Sequence, residues 1–243
     1  MLGGRLQKWL FLFILVLEYA CNCQVTYMSF HIVELLMVSL SDNSDAQNLV
    51  MFEVFAAYLR EKAGLDAEEI NMVRNVSIER RLRKRQYLLQ EGDVCHYNCF
   101  VANGCLRMYT VGSDGTEHML RFAVENWWIS DRESYNNATA SNCNIDALEN
   151  SEVILIDKPD FQMLLVTIPG FKIFIDQLLA KSYDAIQSRV IGAISYTAEE
   201  KYLNFIQRFP NLFNRIPLHM IASYLGISRE TLSRVRSHAV QKK

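Results

Sequence analysis

Near the C-terminus, Arg229, Glu230, Ser233, Arg234 and Ser237 recur at helical intervals on one face of the segment that begins at Ser228, while Leu232 and Val235 mark the opposite face. The polar set has a definite chemistry. A guanidinium is a planar fork of donors that pairs bidentately with the O6 and N7 acceptors of guanine, and a carboxylate accepts from the amino group of cytosine. Arg229 and Arg234 suit the first contact and Glu230 the second. The hydroxyls of Ser228, Thr231 and Ser233 suit phosphate oxygens, which fix register without carrying sequence information.

A helix holding such residues against base edges needs a second helix crossing it closely. Ile221-Ala222, Leu225-Gly226-Ile227, Leu232 and Val235 fill the positions that a helix-turn-helix reserves for small or apolar residues. Ala222 lets the helices approach, Gly226 supplies a left-handed turn residue, and Ser228 is a good N-cap for the second helix. A solvated charged helix at a chain end would account for the arginines, but not for Ala222 and Gly226 at their spacing.

The charge distribution agrees. Residues 201–243 carry eight Lys/Arg against the single acid Glu230, a net charge of +7, whereas the first 200 residues carry 17 basic and 26 acidic side chains. A compact basic module attached to an acidic body points to an anionic partner for the module. Half of the 243 residues are hydrophobic, and 10 Gly and 4 Pro exclude collagen-like or low-complexity character. Cysteines at 21, 23, 95, 99, 105 and 143 form no secreted disulfide framework, and a chain of this size needs no staples, so reduced thiols and a cytoplasmic location are expected.

The N-terminus reads differently. Arg5 and Lys8 precede an apolar run from Trp9 to Leu17, followed by Ala20 and Cys21, in the manner of an export signal. The run is short against the roughly 20 apolar residues of a membrane span, and Glu18 and Tyr19 stand where a lipoprotein cleavage box wants small or aliphatic residues. Residues 1–50 are therefore expected to be a non-native extension with translation starting at Met51; a membrane anchor and an ordered extra helix are the alternatives.

From Met51 the apolar residues Phe52, Phe55, Leu59 and then Leu65, Ile70, Val73 have helical spacing, with Gly64 as a stop between two helices. After Ser77 the period changes. Strands at Cys99–Val101, Cys105–Val111, Glu117–Phe122 and Val153–Asp157, punctuated by Glu91-Gly92-Asp93, Asn103-Gly104 and Gly112-Ser113-Asp114-Gly115, predict an α+β protein built on an antiparallel β jelly-roll barrel. Lys158-Pro159-Asp160 opens a short helix through Leu165. A long helix over Phe171–Tyr196 follows, carrying Ile175, Leu179, Tyr183, Ile186, Val190 and Ile194 in one stripe. Phe174 and Leu178 add a second stripe along its first half only, so the helix packs first on its own barrel and then, through Ile186, Val190 and Ile194, on a partner helix.

A barrel, a long helix and a C-terminal helix-turn-helix with Ser228-Arg229-Glu230-Thr231-Leu232-Ser233-Arg234 resemble the Crp/Fnr family of bacterial transcription regulators over roughly residues 51–243. The resemblance rests chiefly on the recognition helix, and further on Leu88, Gly92, Asp93 and Asn103-Gly104 at turns of the barrel. It implies a cyclic-nucleotide-binding-like sensor domain over 51–168, a dimerisation helix over 169–196 and a winged helix-turn-helix over 197–243. It also implies a homodimer on a pseudo-palindromic site in double-stranded DNA, contact with RNA polymerase, and no membrane partner.

In cyclic-nucleotide-binding relatives a Gly-Glu segment and a downstream Arg, shortly before an Ala-Leu pair, hold the ribose and phosphate. The matching segment here is Trp127-Trp128-Ile129-Ser130-Asp131, without Gly or Glu, and counting back from Ala147-Leu148 puts Ser141 where the Arg belongs. Arg132 is near in sequence but at the wrong spacing. The expectation is therefore no cyclic AMP and no other cofactor, with a possible small-molecule effector of unknown identity; Trp127 and Trp128, adjacent on a strand, are expected to serve packing. Cys95, Cys99 and Cys105 read as buried hydrophobes, and His96 and His118 have no second histidine at chelating spacing, so no metal is expected. No nucleophile–base–orienter set is present, which argues against an enzyme. The rival reading is a ligand-sensing module whose C-terminal helices mediate protein contacts only; it would tolerate loss of Arg229 and Arg234.

Overall fold

A computed structural model of the chain describes residues 43–210, 212 and 214–241. The signal-like stretch from Trp9 to Cys23 lies outside the described residues.

The first described helix, α1 (Asn43–Ala63), runs through Met51, and Met51, Phe52, Phe55, Ala56 and Leu59 form its buried stripe. Gly64 ends it at φ +66°, a conformation a side chain would strain. Helix α2 (Ala67–Asn75) starts in a capping box, Glu69 N–H donating to Asp66 Oδ1 at 2.9 Å and Asp66 N–H to Glu69 Oε2 at 3.0 Å.

Eight strands follow, with one short helix among them: β1 (Ile78–Leu82), β2 (Tyr87–Leu89), β3 (Tyr97–Asn103), β4 (Leu106–Val111), β5 (Glu117–Ala123), β6 (Trp128–Ile129), α3 (Arg132–Asn137), β7 (Asn144–Ala147) and β8 (Ser151–Asp157). They form two antiparallel four-stranded sheets, ordered β1-β8-β3-β6 and β2-β7-β4-β5. The predicted strands coincide with β3, β4, β5 and β8, except that the second is expected from Cys105 and β4 begins at Leu106. The expected barrel is a sandwich of two open sheets.

Side-chain alternation explains why the middle strands are apolar on both faces. Cys99 and Val101 of β3, Val153 and Leu155 of β8, Leu106 and Met108 of β4, and Ile145 and Ala147 of β7 pack between the sheets. From the same strands Phe100, Ala102, Ile154 and Ile156 point outward into a second core with α1, α2, α4 (Lys158–Thr167) and the start of α5 (Pro169–Ser195). The second sheet is covered on its outer face too: Tyr109, Met119 and Phe122 join Tyr202, Phe205, Phe209, Ile221, Ala222 and Leu232. Those last residues come from α6 (Ala198–Arg208), α7 (Leu218–Leu225), α8 (Arg229–Gln241) and the connection between α6 and α7. The order is thus helices, sheet, sheet, helices.

The long helix α5 has the two-part character its stripes predict. Phe171, Phe174 and Ile175 are buried, whereas Tyr183, Ile186, Val190, Ile191 and Ile194 are exposed. The expected wing is not seen: among the described residues no strand follows Asp157, and the C-terminal segment is helical through Gln241. No single helix among the described residues is long and apolar enough to cross a membrane; only α4 and α5 together have the composition, and they are bent by 115° at their junction.

Candidate nucleic-acid interface and sensor pocket

The turn between α7 and α8 is built by its sequence. Gly226 adopts φ +64° and ψ 38°; its N–H donates to the Ser223 carbonyl at 3.1 Å and the Ile227 N–H to the Ala222 carbonyl at 3.1 Å. This pair is a Schellman closure, which satisfies the last carbonyls of α7 and reverses the chain within three residues. Ser228 then caps α8: its Oγ accepts from Thr231 N–H at 3.1 Å, and its hydroxyl contacts Thr231 Oγ1 at 3.1 Å. Leu232 is fully buried, Ala222 nearly so, and Val235 packs against the same cluster. That one-sided burial leaves Arg229, Glu230, Ser233 and Arg234 exposed together, with Ser228 exposed at the helix start and Thr231 half-buried. The Glu230 backbone N–H, the Ser228 side chain and the Arg229 charge hold the Glu230 carboxyl below the usual carboxylate range, as the positive end of a helix dipole also favours.

The pair is anchored to β5, whose outer edge has backbone groups to satisfy. Ser223 Oγ accepts from the Met119 N–H at 3.0 Å and donates to the Glu117 carbonyl at 3.0 Å. Arg189 of α5 reaches the Leu120 carbonyl, donates to Met119 O at 3.2 Å, and lies over the Tyr224 ring at 4.3 Å. Two ion clusters flank this contact. Arg107 of β4 donates through Nε and Nη2 to Asp146 at 2.7 and 2.9 Å and also pairs with Glu117; burial opposes its charge, but the two carboxylates outweigh that and hold the guanidinium protonated. Arg215, between α6 and α7, donates to both oxygens of Glu125 at 2.9 and 2.8 Å and pairs with Glu149 in the β7–β8 turn. Sequence reasoning missed both clusters.

Where the resemblance would put the effector's cation, the structure places Ser141 as a buried residue. Its hydroxyl donates to Asp131 Oδ2 at 2.7 Å, and its Oγ accepts from Cys143 N–H at 3.0 Å. The other carboxylate oxygen of Asp131 caps α3, accepting from Glu133 N–H at 3.1 Å and Ser134 N–H at 3.4 Å. A cyclic phosphate held at this helix start needs free backbone amides and a cation. Here a carboxylate of the chain itself takes the amides, and a serine stands in the cation's place, so these residues do not fit that group.

Trp127 and Trp128 both pack against protein. Trp128 meets Phe55, Phe100 and Phe161, and Trp127 stacks on Phe209 at 5.5 Å. Cys95, Cys99 and Cys105 are free and buried, and burial pushes all three thiols up, Cys105 to about 12. Among the described residues no group of three His, Cys, Asp or Glu side chains could hold a metal ion; His96 and His118 are exposed.

Comparison with known proteins places this geometry. A search of curated proteins by sequence gives no match, whereas residues 79–167 match the family of the cyclic nucleotide-binding domain. Among solved structures the chain is similar to FixK2 from Bradyrhizobium japonicum, with a TM-score of 0.60 at 18% identity over 69% of this chain and 86% of that one. It is similar to CLP from Xanthomonas campestris, described as a c-di-GMP-responsive global regulator, with a TM-score of 0.59 at 16% identity over 73% and 93%. A transcriptional regulator assigned to the Crp/Fnr family from Eubacterium rectale gives 0.57 at 16% identity over 76% and 88%. Residues 79–167 thus match the cyclic nucleotide-binding domain family, and the chain built around them has the fold of these Crp/Fnr-type structures.

Proposed function

We propose that the protein is a sequence-specific DNA-binding regulator of transcription that acts in the cytoplasm as a homodimer. One observation carries the reading: α8 buries Leu232 in the cluster shared with α7 while Arg229, Glu230 and Arg234 stand exposed on its first turns. In a helix-turn-helix the second helix enters the major groove with its N-terminal residues at base edges. Arg229 and Arg234 then pair with guanines, Glu230 accepts from a cytosine, and Thr231 and Ser233, with Ser228 at the cap, face phosphates.

The partner copy joins through α5. Ile186, Val190 and Ile194 are 60%, 53% and 82% exposed, spaced by four and four along one face, and a helical stripe of this kind is buried in solution against another helix. RNA polymerase contact is part of the proposal, as the family resemblance implies. The description of CLP as c-di-GMP-responsive supports a small-molecule effector here also, though not a cyclic phosphate at Asp131 and Ser141.

The experiment is selection of bound sites from a random duplex library by the full chain. A two-fold symmetric motif with half-sites about one helical turn apart establishes DNA recognition and the dimer together. Recovery of no sequence preference refutes the reading and favours the rival, in which α7 and α8 contact protein only.

A further inference from the structure

The stretch from the end of β1 to the start of β2 carries five cations in six residues, Arg80, Arg81, Arg83, Lys84 and Arg85, and all five are exposed. The first 200 residues hold 17 basic and 26 acidic side chains, so this turn is a basic island on an acidic body. Strands β1 and β2 are outer strands of the two sheets. Charge on an edge strand deters pairing with another chain, which accounts for Arg80 and Arg81 but not for Arg83, Lys84 and Arg85, which lie between the strands. Among the described residues only Arg81 of the five is paired with a carboxylate, that of Glu152 at 3.4 Å.

The backbone of the turn is fixed by the protein itself. Lys84 N–H donates to Asn150 Oδ1 at 3.1 Å, Arg83 N–H to Gln86 Oε1 at 2.9 Å, and Arg85 N–H to the Ala147 carbonyl at 2.7 Å. Of a side-chain amide only the oxygen accepts, so Asn150 and Gln86 are each left with an NH2 group as the free end. Both residues line one groove of about 790 Å3 together with Arg81, Arg83, Asn103 and Glu152, a size within the roughly 300–1,000 Å3 of small-molecule sites. Its polar lining is rich in donors, and its one carboxylate already faces Arg81. Such a lining wants acceptors. A phosphoryl group brings several oxygens and matches the guanidinium fork. One phosphate carries about two negative charges near neutrality, fewer than the four cations of the turn that lack a carboxylate, so a diphosphate is the better match.

We propose that the groove between the β1–β2 turn and Asn150 binds a diphosphate-bearing ligand, with Arg81, Arg83, Gln86 and Asn150 as its donors. The site is separate from the start of α3, which Asp131 caps, and it does not depend on the reading of α8. Asn150 adjoins Glu149, which pairs with Arg215 ahead of α7, so an occupied groove stiffens the turn that ties the sheets to the C-terminal helices.

The test is calorimetric titration of the full chain with sodium pyrophosphate, with ADP and, as a polyanion without phosphoryl groups, with citrate, at an ionic strength held constant with sodium chloride. A saturable heat with one pyrophosphate or ADP per chain is expected, and a weaker one or none with citrate. Equal affinities for pyrophosphate and ADP identify the diphosphate group as the recognised element, and tighter binding of ADP identifies a nucleoside diphosphate. Arg83→Gln, at an exposed position, should leave the thermal unfolding midpoint unchanged and weaken binding by about tenfold, the size of a lost charge-assisted hydrogen bond. Asn150→Asp keeps the oxygen that accepts from Lys84 N–H but replaces the NH2 group by a carboxylate oxygen, so it should abolish binding with the chain still folded. Arg132→Gln, an exposed arginine outside the groove, should bind like the parent chain. Heats indistinguishable from the chloride reference, citrate binding equal to that of pyrophosphate, undiminished binding by Arg83→Gln or Asn150→Asp, or an equal loss in Arg132→Gln overturn the proposal, and none of these results touches DNA recognition by Arg229 and Arg234.

Discussion

The Ser141 hydroxyl donates to Asp131 Oδ2 at 2.7 Å, and that contact turns the start of α3 from an anion site into an internal cap. The carboxylate satisfies two helix amides and a buried serine at once. Calorimetric titration with cyclic AMP should therefore give no saturable heat; a micromolar dissociation constant with one ligand per chain would show that the pocket lies elsewhere. Asp131→Ala should destabilise the fold by about 1–2 kcal/mol in chemical denaturation, the cost of a lost N-cap.

Arg215 ties the α6–α7 connection to Glu125 and Glu149, and this tie has a pH signature. Burial alone would raise the Glu125 carboxyl, but the Arg215 guanidinium, its own backbone N–H and that of Gly104 outweigh it and hold the carboxyl below the usual range. A group with a depressed folded-state pKa contributes stability that is fully present above its unfolded value and is lost as pH falls through the folded one. Unfolding midpoints should thus fall below about pH 4.5, starting near the unfolded glutamate value. Arg215→Met should lower stability near neutrality and flatten that acid limb; an unchanged limb would refute the role given to this pair.

Two glycines should respond differently to alanine. Gly226 sits at φ +64° with open space around a would-be Cβ, so Gly226→Ala should cost about 1 kcal/mol of backbone strain. At Gly104 the φ is +99° and a Cβ would lie 2.3 Å from Ser151 Oγ and 2.7 Å from Ser151 Cα. Gly104→Ala should therefore destabilise the chain by clearly more than Gly226→Ala in paired denaturant titrations.

These contrasts show which parts of the molecule a local pattern can reveal. The α7–α8 pair is legible because Ala222, Gly226, Ser228 and Leu232 act within ten residues of one another, through helix period and turn chemistry. Strands β3, β4, β5 and β8 are legible because turn signals bound apolar runs. Strand β1 is not: of Ile78–Leu82 only Leu82 is buried, so its sequence carries no clear alternation. The ion clusters are invisible for another reason. Arg107 and Asp146 are 39 positions apart and Arg215 and Glu125 are 90 apart, and only the pairing of β4 with β7 and the docking of the C-terminal helices bring them together.

The proposed recognition of DNA by α8 would divide its contacts into two classes with different salt behaviour. Arg229→Ala or Arg234→Ala should remove a bidentate base contact worth about 1–3 kcal/mol per half-site and relax preference at one position. Loss of a phosphate-contacting cation should instead weaken all sequences alike and lower the salt slope by about one. If Arg234→Ala reduces affinity equally for selected and random duplexes, Arg234 touches backbone and the assignment of α8 to the groove must shift.

The proposed dimer would link this local chemistry to the shape of the site. Ile186, Val190 and Ile194 are exposed on α5 beyond its buried start, so a charge at the half-exposed Val190 should leave the monomer folded. It would meet the partner helix directly, and burying an unpaired carboxylate in an apolar seam costs several kcal/mol. Val190→Asp should therefore shift the chain to monomer in analytical ultracentrifugation with an unchanged thermal midpoint for the sandwich. Affinity for a full two-fold site should fall toward that of a half-site, because the two recognition helices, about 34 Å apart in such an assembly, are no longer held in register. A Val190→Asp chain that still binds the full site as a dimer places the interface elsewhere. The remaining exposed stripe of α5, Tyr183 and Ile191, then becomes the next surface to charge.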